Sequence, residues 1–174
     1  MSSQPFIQVV NDKDEPLYGM AIEKVYIEAL THRVVYVAMF NEYDQLLLQK
    51  RAAHIVTDPD KWDVSVGGHV DNEESYQETA IREMKEEIGL INIPIKKIAY
   101  FYQEAEMLGV IQKRFITIFE AHVKSDIAIK VDSNEVSKTK WFTISEIKEM
   151  ISNNPSSAAL GLKHYMEKCY DFKP

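Results

Sequence analysis

Cysteine is nearly absent from this chain of 174 residues. Cys169 stands alone, which excludes an intramolecular disulfide framework and a cysteine zinc cluster and fits a reducing compartment. Long apolar runs are also missing. No stretch approaches the ~20 residues of a membrane-spanning helix. Residues 1–20 carry Asp12, Asp14 and Glu15 instead of the apolar core of a signal peptide. The chain is therefore expected to be cytoplasmic, with no membrane partner. Positive charge is not in excess: the net charge is −7, which argues against binding a nucleic-acid polymer by charge alone. There is no internal repeat, no low-complexity tract and no long linker. The expectation is one domain over residues 1–174, with a hydrophobic fraction of 45% and a charged fraction of 27% suited to a packed core.

What is present begins with a leader over residues 1–30. Residues 6–10 are apolar and precede the polar turn of residues 11–15, so residues 17–20 are expected to pair back as a hairpin. Residues 21–30 have helical spacing through Ile22, Val25, Tyr26 and Ala29. Residues 33–40 are apolar on both faces and predict a central strand covered on both sides. Residues 45–51 return as a strand, and residues 62–66 lead into a Gly67-Gly68 turn. Strands are predicted at 98–103, over 114–123, where the apolar residues alternate, and at 141–143, with residues 107–112 as a hairpin connection and residues 124–140 mostly loop. Thr143 or Ser145 caps a short helix over 146–151, and Ser156 or Ser157 starts a last helix reaching about Tyr170. Interleaved strands and helices predict an α/β fold, a sandwich with a mixed central sheet and helices on both faces.

The most informative stretch runs from Gly68 to Leu90. Its second half, near Glu74 to Ile88, predicts a helix that Gly89 stops, because glycine tolerates the left-handed conformation of helix ends. Ala80, Ile81, Met84 and Ile88 form one apolar stripe. Glu83, Glu86 and Glu87 share another face at i, i+3 and i+4. Such carboxylates repel one another, and a hard divalent cation turns that repulsion into attraction because it takes oxygen ligands. Arg82 is placed to brace Glu86, and the Gly67-Gly68 pair lets backbone come close to an ion.

This stretch resembles the Nudix box, Gly-x5-Glu-x7-Arg-Glu-U-x-Glu-Glu-x-Gly-U, where U is a bulky aliphatic. Gly68, Glu74, Arg82, Glu83, Met84, Glu86, Glu87, Gly89 and Leu90 fill every specified position. The resemblance covers roughly residues 30–155, the expected core being about 31–155 with a C-terminal helix at about 156–170. It implies the Nudix α/β/α sandwich and Mg²⁺-dependent hydrolysis, with Mn²⁺ a possible substitute, of the diphosphate bond in a nucleoside diphosphate derivative or related organic diphosphate. By match to the motif, Glu83, Glu86 and Glu87 are metal ligands, with the carbonyl of Gly67. Glu83, or a glutamate outside the box, activates water, and Glu135 is the best outside candidate. Gly68, Glu74, Arg82 and Gly89 are structural in the motif. Lys50, Arg51, Arg114 and His69 are the candidates to meet substrate phosphates.

The leader and the segment from Trp62 to His69 look like those of isopentenyl-diphosphate isomerases within the same family, and His32 and His69 match two of their metal-binding histidines. Gly67, however, stands where those enzymes have a catalytic cysteine, and Gln112-Lys113-Arg114 stands where they have a Glu-x-Glu pair. His32 then reads as a strand-cap residue and His69 as a turn residue near phosphate. A hydrolase of small-molecule diphosphates, monomer or homodimer, is the expectation. The alternatives are an isomerase-like enzyme and a catalytically silent ligand-binding module.

Overall fold

The computed structural model describes residues 6–107 and 109–173. Strands β1 (Phe6–Val10) and β2 (Pro16–Ala21) form the leader hairpin, followed by helix α1 (Ile22–Ile27). The chain continues through β3 (His32–Phe40), β4 (Leu46–Arg51), β5 (Trp62–Asp63), β6 (Val66–His69), α2 (Tyr76–Ile88), β7 (Ile95–Met107), β8 (Val110–His122) and β9 (Val136–Phe142). Helix α3 (Ile144–Asn153), a 3₁₀ turn at Pro155–Ser157 and α4 (Leu160–Tyr170) complete it. The leader helix is shorter than its spacing suggested, ending at Ile27.

The sheet is mixed. Strand β3 runs parallel to β8 and antiparallel to β6, while β4 pairs antiparallel with β5 and β9. The β3–β4 hairpin pairs only at its mouth, Phe40 with Leu46, and the two strands then diverge. This split is what opens the site. Strands β5 and β6 cross the gap, one on each side of it.

Side chains of β3 alternate between two cores, as a strand period of two requires. Val34, Tyr36, Ala38 and Phe40 pack with Ile147 and Ile151 of α3 and Leu162, Tyr165 and Met166 of α4. Val35, Val37 and Met39 pack with Ala80, Met84 and Ile88 of α2. Helices thus cover both faces, and β3 is buried on both sides as its composition implies.

Several local expectations are corrected. Gly67 and Gly68 lie in strand β6, not in a turn, paired with Tyr36 and Val35. Strand β7 reaches Met107 and β8 starts at Val110, with the two residues paired, so Met107 and residues 110–112 are strand. Strand β9 starts at Val136, well before Trp141, because it follows β4 along its whole length. Thr143 caps α3 with a capping box to Glu146. Ala159, not a serine, precedes α4, and Ser156 and Ser157 belong to the 3₁₀ turn.

Candidate active site

Helix α2 carries the acids into the gap between the diverging strands. Ser75 caps it through a capping box with Glu78, and Gly89 ends it at φ 73°. Its buried face keeps Ala80, Met84 and Ile88 of the apolar stripe but is turned away from Ile81. Ile81 is 44% exposed, whereas Glu83 and Glu87 are buried beside Ala80, Met84 and Ile88. Of the three clustered helix glutamates, Glu83 and Glu87 therefore point into the protein and Glu86 stays at the surface.

Glu87 reaches the split itself. Its Oε2 accepts from Nε2 of Gln49 on β4 at 3.1 Å and from the Gly67 amide on β6 at 3.3 Å. Glu83 lies against Gly68, where any Cβ would overlap its carboxylate. That close approach is the physical reason for glycine there. Both carboxylates line a cavity of about 350 Å³, together with Glu86, Glu135, Asp71 and Arg82.

Arg82 is the local counter-charge. Its guanidinium donates to Glu74 at 3.0 Å, Glu83 at 2.9 Å, Glu86 at 3.1 Å and the His69 carbonyl at 3.3 Å, and Asp71 lies 3.6 Å away. Glu74, just before the helix cap, also accepts from Thr79 at 2.7 Å. Burial pushes the Glu74 carboxyl up, but the bonds from Arg82 and Thr79 outweigh it and hold it below the usual range. Glu83 is different: burial pushes it up to about 7 against the pull of Arg82, and Glu135 and Glu86 push the same way. Burial, then Glu83 and Glu135, raise Glu87 strongly. Burial, then Asp132 and Glu86, raise Glu135. One cation does not neutralise this set.

The fit to a divalent ion follows from that donor set. Oxygen donors crowd one wall, their proton affinity is raised by one another, and Gly67 and Gly68 expose backbone beside them. Among the described residues no three acidic, histidine or cysteine side chains already converge on one point. Arg82 accounts for this, since it draws Glu83 and Glu86 to itself.

The other expected residues divide. Arg51 lines the cavity but is engaged by Asp63 at 3.4 Å, the Thr57 carbonyl at 3.1 Å and the Thr57 hydroxyl at 3.0 Å. Lys50 is not in the cavity wall; its Nζ pairs with Asp60 at 2.7 Å. Arg114 and His69 are in the wall. His69 Nε2 and the Tyr26 hydroxyl are 2.9 Å apart, and the His69 ring lies 5.3 Å from that of His32, whose Nδ1 is 2.9 Å from the Leu30 carbonyl. Burial lowers His32 to about 4 and lowers His69 well below its usual value, so both are neutral.

Gln49, Asp71 and Tyr26 belong to the site and were not singled out from sequence. A glutamine inside the apolar run of β4 was a usable signal for Gln49, since buried polar groups demand partners. Asp71 and Tyr26 had none, because their contacts are made by Arg82 and His69 from other elements.

Comparison with known proteins is consistent with this geometry. The model of the NUDIX domain matches residues 30–162. The uncharacterized Nudix hydrolase YfcD of Escherichia coli K12 is 27% identical over 147 residues, covering 84% of this chain and 78% of its own. Isopentenyl-diphosphate Delta-isomerase 2 of Photorhabdus laumondii is 28% identical over 148 residues, covering 84% and 82%. Among solved structures, DR0079 of Deinococcus radiodurans superposes with a TM-score of 0.78 at 24% identity, covering 94% of this chain and 98% of its own. The NUDIX domain of Shewanella oneidensis NrtR, solved with ADP ribose, gives 0.61 at 18% identity, covering 80% and 86%.

Proposed function

Since the chain belongs to the Nudix hydrolase family, hydrolases acting on pyrophosphate bonds, we propose that it hydrolyses the diphosphate bond of a nucleoside diphosphate derivative or related organic diphosphate with Mg²⁺. The observation that carries this is the gathering of Glu83, Glu87 and Glu135 on one cavity wall with their proton affinities raised by burial and mutual repulsion. A wall so charged repels a polyanionic substrate unless a cation intervenes.

Family members use divalent cations. Here Glu83, Glu86 and Glu87, with the Gly67 carbonyl, would hold the ion, which when bound neutralises phosphate charge and acidifies water. The chain's own residues do the rest. Arg82 holds Glu83 and Glu86 in place and ties them to Glu74. Gln49 and the Gly67 amide orient Glu87. Glu83 or Glu135 accepts the proton of the attacking water; both line the cavity, and a carboxylate with a raised pKa is a better base near neutral pH. Ile7, Ile22 and Tyr26 from the leader line the same cavity, which supports residues 1–174 working as one unit. We place the enzyme in the cytoplasm, as monomer or homodimer, acting on small molecules. No helix among the described residues is long and apolar enough to cross a membrane.

The test is cleavage of a panel of nucleoside triphosphates, ADP-ribose, dinucleotides and prenyl diphosphates, read by chromatography as the phosphomonoester products and any phosphate or pyrophosphate, with Mg²⁺ and with EDTA. Cleavage with metal and none with chelator supports the reading; ligand binding without turnover of any panel member sinks it in favour of a silent module. The isomerase alternative draws on the adjacent His32 and His69 rings. That reaction moves protons on and off carbon, which needs two positioned proton carriers. Gly67 has no side chain to serve, and the guanidinium of Arg114 does not deprotonate. Incubation with isopentenyl diphosphate in deuterated water is expected to leave the prenyl carbons unlabelled; catalytic deuterium entry restores the isomerase.

A further inference from the structure

We propose that Arg114 forms a second anion subsite at the end of the cavity away from the glutamates, so that the substrate is a diphosphate carrying a further fixed oxyanion, a phosphate ester or carboxylate, on its other part. Calling the ligand a substrate rests on the hydrolase reading above; the subsite itself does not.

Arg114 opens from β8 opposite His32 on β3, in the parallel register that aligns the two strands. It is only 4% exposed and forms part of the cavity wall. Its Nε and Nη2 are buried with no hydrogen-bond partner, and no acid pairs with it among the described residues. A buried guanidinium without a counter-charge is costly. The groups whose titration it influences are neutral. Burial holds His32 and His164 down to about 4 and lowers His69, with the Arg114 charge adding to each. Burial pushes Tyr36 up to about 12 and raises Tyr26 against the pull of the same charge. His32 Nε2 and Gln112 Oε1 are buried and unpartnered as well. Arg51 acts on Tyr26, Tyr36 and His69 as well, and Asp63 on Tyr36, but these two are paired with each other at 3.4 Å. Arg114 thus keeps its charge without an acid of its own among the described residues, on a cavity from which an anion can arrive.

Geometry separates this charge from the glutamates. Strand β3 lies between β8 and β6, so the Arg114 backbone is two strand spacings, roughly 10 Å, from the strand that backs Glu83, and the cations that pull on Glu83 and Glu135 are Arg82 and Arg51. The oxyanion assigned to Arg114 is accordingly a different one from the phosphoryl group facing the glutamates. A guanidinium offers a planar fork that takes a planar or tetrahedral oxyanion in parallel bonds, and with Nε and Nη2 out of solvent contact the part that can do so here is the part bordering the cavity. Lysine offers a point charge and no fork.

The test uses the full chain in EDTA with inorganic phosphate as probe, read by calorimetry, so that no metal and no turnover enter. Phosphate is expected to bind, and Arg114→Met to weaken it about 10- to 100-fold, the range for losing a charge-assisted hydrogen bond. Without ligand, Arg114→Met is expected to melt no lower than the parent, since it removes an unpaired buried charge. Arg114→Lys covers the case in which the methionine variant fails to fold, and should also bind phosphate more weakly. Failure of phosphate to bind the parent, or equal affinity in parent and Arg114→Lys, overturns the subsite. In a second arm, matched diphosphates with and without an extra phosphate ester are compared with Mg²⁺. Arg114→Lys should raise KM for the phosphate-bearing member at least about tenfold more than for its counterpart; an equal change for both overturns the assignment. If the parent hydrolyses nothing yet binds phosphate through Arg114, the hydrolase reading falls and the subsite stands.

Discussion

The two ends of one cavity are charged in opposite and incomplete ways. At the α2 end, carboxylates outnumber their cation: Arg82 contacts Glu74, Glu83 and Glu86, while Glu87 has only the amides of Gln49 and Gly67. At the β8 end the Arg114 guanidinium is buried among histidines and tyrosines that burial keeps neutral, with no acid paired to it among the described residues, whereas Arg51 nearby is paired with Asp63. Neither arrangement is what an isolated fold would choose, because buried charge is stabilising only when paired. Together they are complementary to a ligand that brings a cation to one end and an anion to the other.

The largest effect expected in breaking this comparison comes from the acidic end. Glu86→Gln should lower turnover by roughly 10³-fold, since charge stabilisation of several kcal/mol is asked of the ion it helps to hold. The fold should survive, because Glu86 is exposed and its loss relieves repulsion. Mg²⁺ calorimetry decides the assignment: an affinity equal to that of the parent means Glu86 is not a ligand.

Next in size is the pH dependence of the metal-free protein. Glu83 has its folded pKa raised to about 7 from an ordinary value of 4.5, and Glu87 is raised too. The unfolded chain therefore releases these protons first as pH rises. Stability should be fullest below about 4.5 and fall as pH climbs through about 7, by up to about 3 kcal/mol for Glu83. Saturating Mg²⁺ should reverse the loss by binding only the folded state, and Glu83→Ala with Glu87→Ala should remove both the fall and the rescue. Denaturant melts from pH 4.5 to 8, with and without Mg²⁺, provide the measurement; a flat metal-free profile contradicts the charge imbalance.

Gly68→Ala probes the seam between the strand and the acids. The added Cβ overlaps the Glu83 carboxylate, so Glu83 must move, at a cost of about 1–3 kcal/mol. A chemical melt unchanged from the parent would mean that Glu83 moves aside freely. The smallest effect belongs to the basin. Tyr26→Phe removes the hydroxyl that meets His69 Nε2 at 2.9 Å and should cost about 1 kcal/mol. A loss greater than that of Gly68→Ala would show the basin, not the acidic end, to be the more tightly organised.

How far the site was legible depended on the range of the interactions. The box residues follow one another along a helix and its flanks, so spacing alone brought Arg82 to Glu86 and placed Gly89 at a left-handed stop. The apolar stripe was less faithful. Ile81 is exposed and Glu83 is buried, because the face a helix buries is chosen by its neighbours, here strand β6 with its side-chain-free Gly68. Gly67-Gly68 looked like a turn because glycine breaks isolated strands; pairing with Val35 and Tyr36 of the central strand overrides that preference.

By itself, the sequence determined the order of most elements, the capped helix with its carboxylates three and four apart, and the family, since these rest on contacts within a few residues. Tertiary structure decided which carboxylates turn inward, that β3 and β4 part to make a cavity, that Lys50 turns to Asp60 and away from it, and that Glu135 reaches it. It also decided the company of Arg114. Tyr26, His32, His69 and Arg114 are scattered along the chain and become neighbours only through the β6–β3–β8 register. Their electrostatics follow from that burial, which no local pattern encodes.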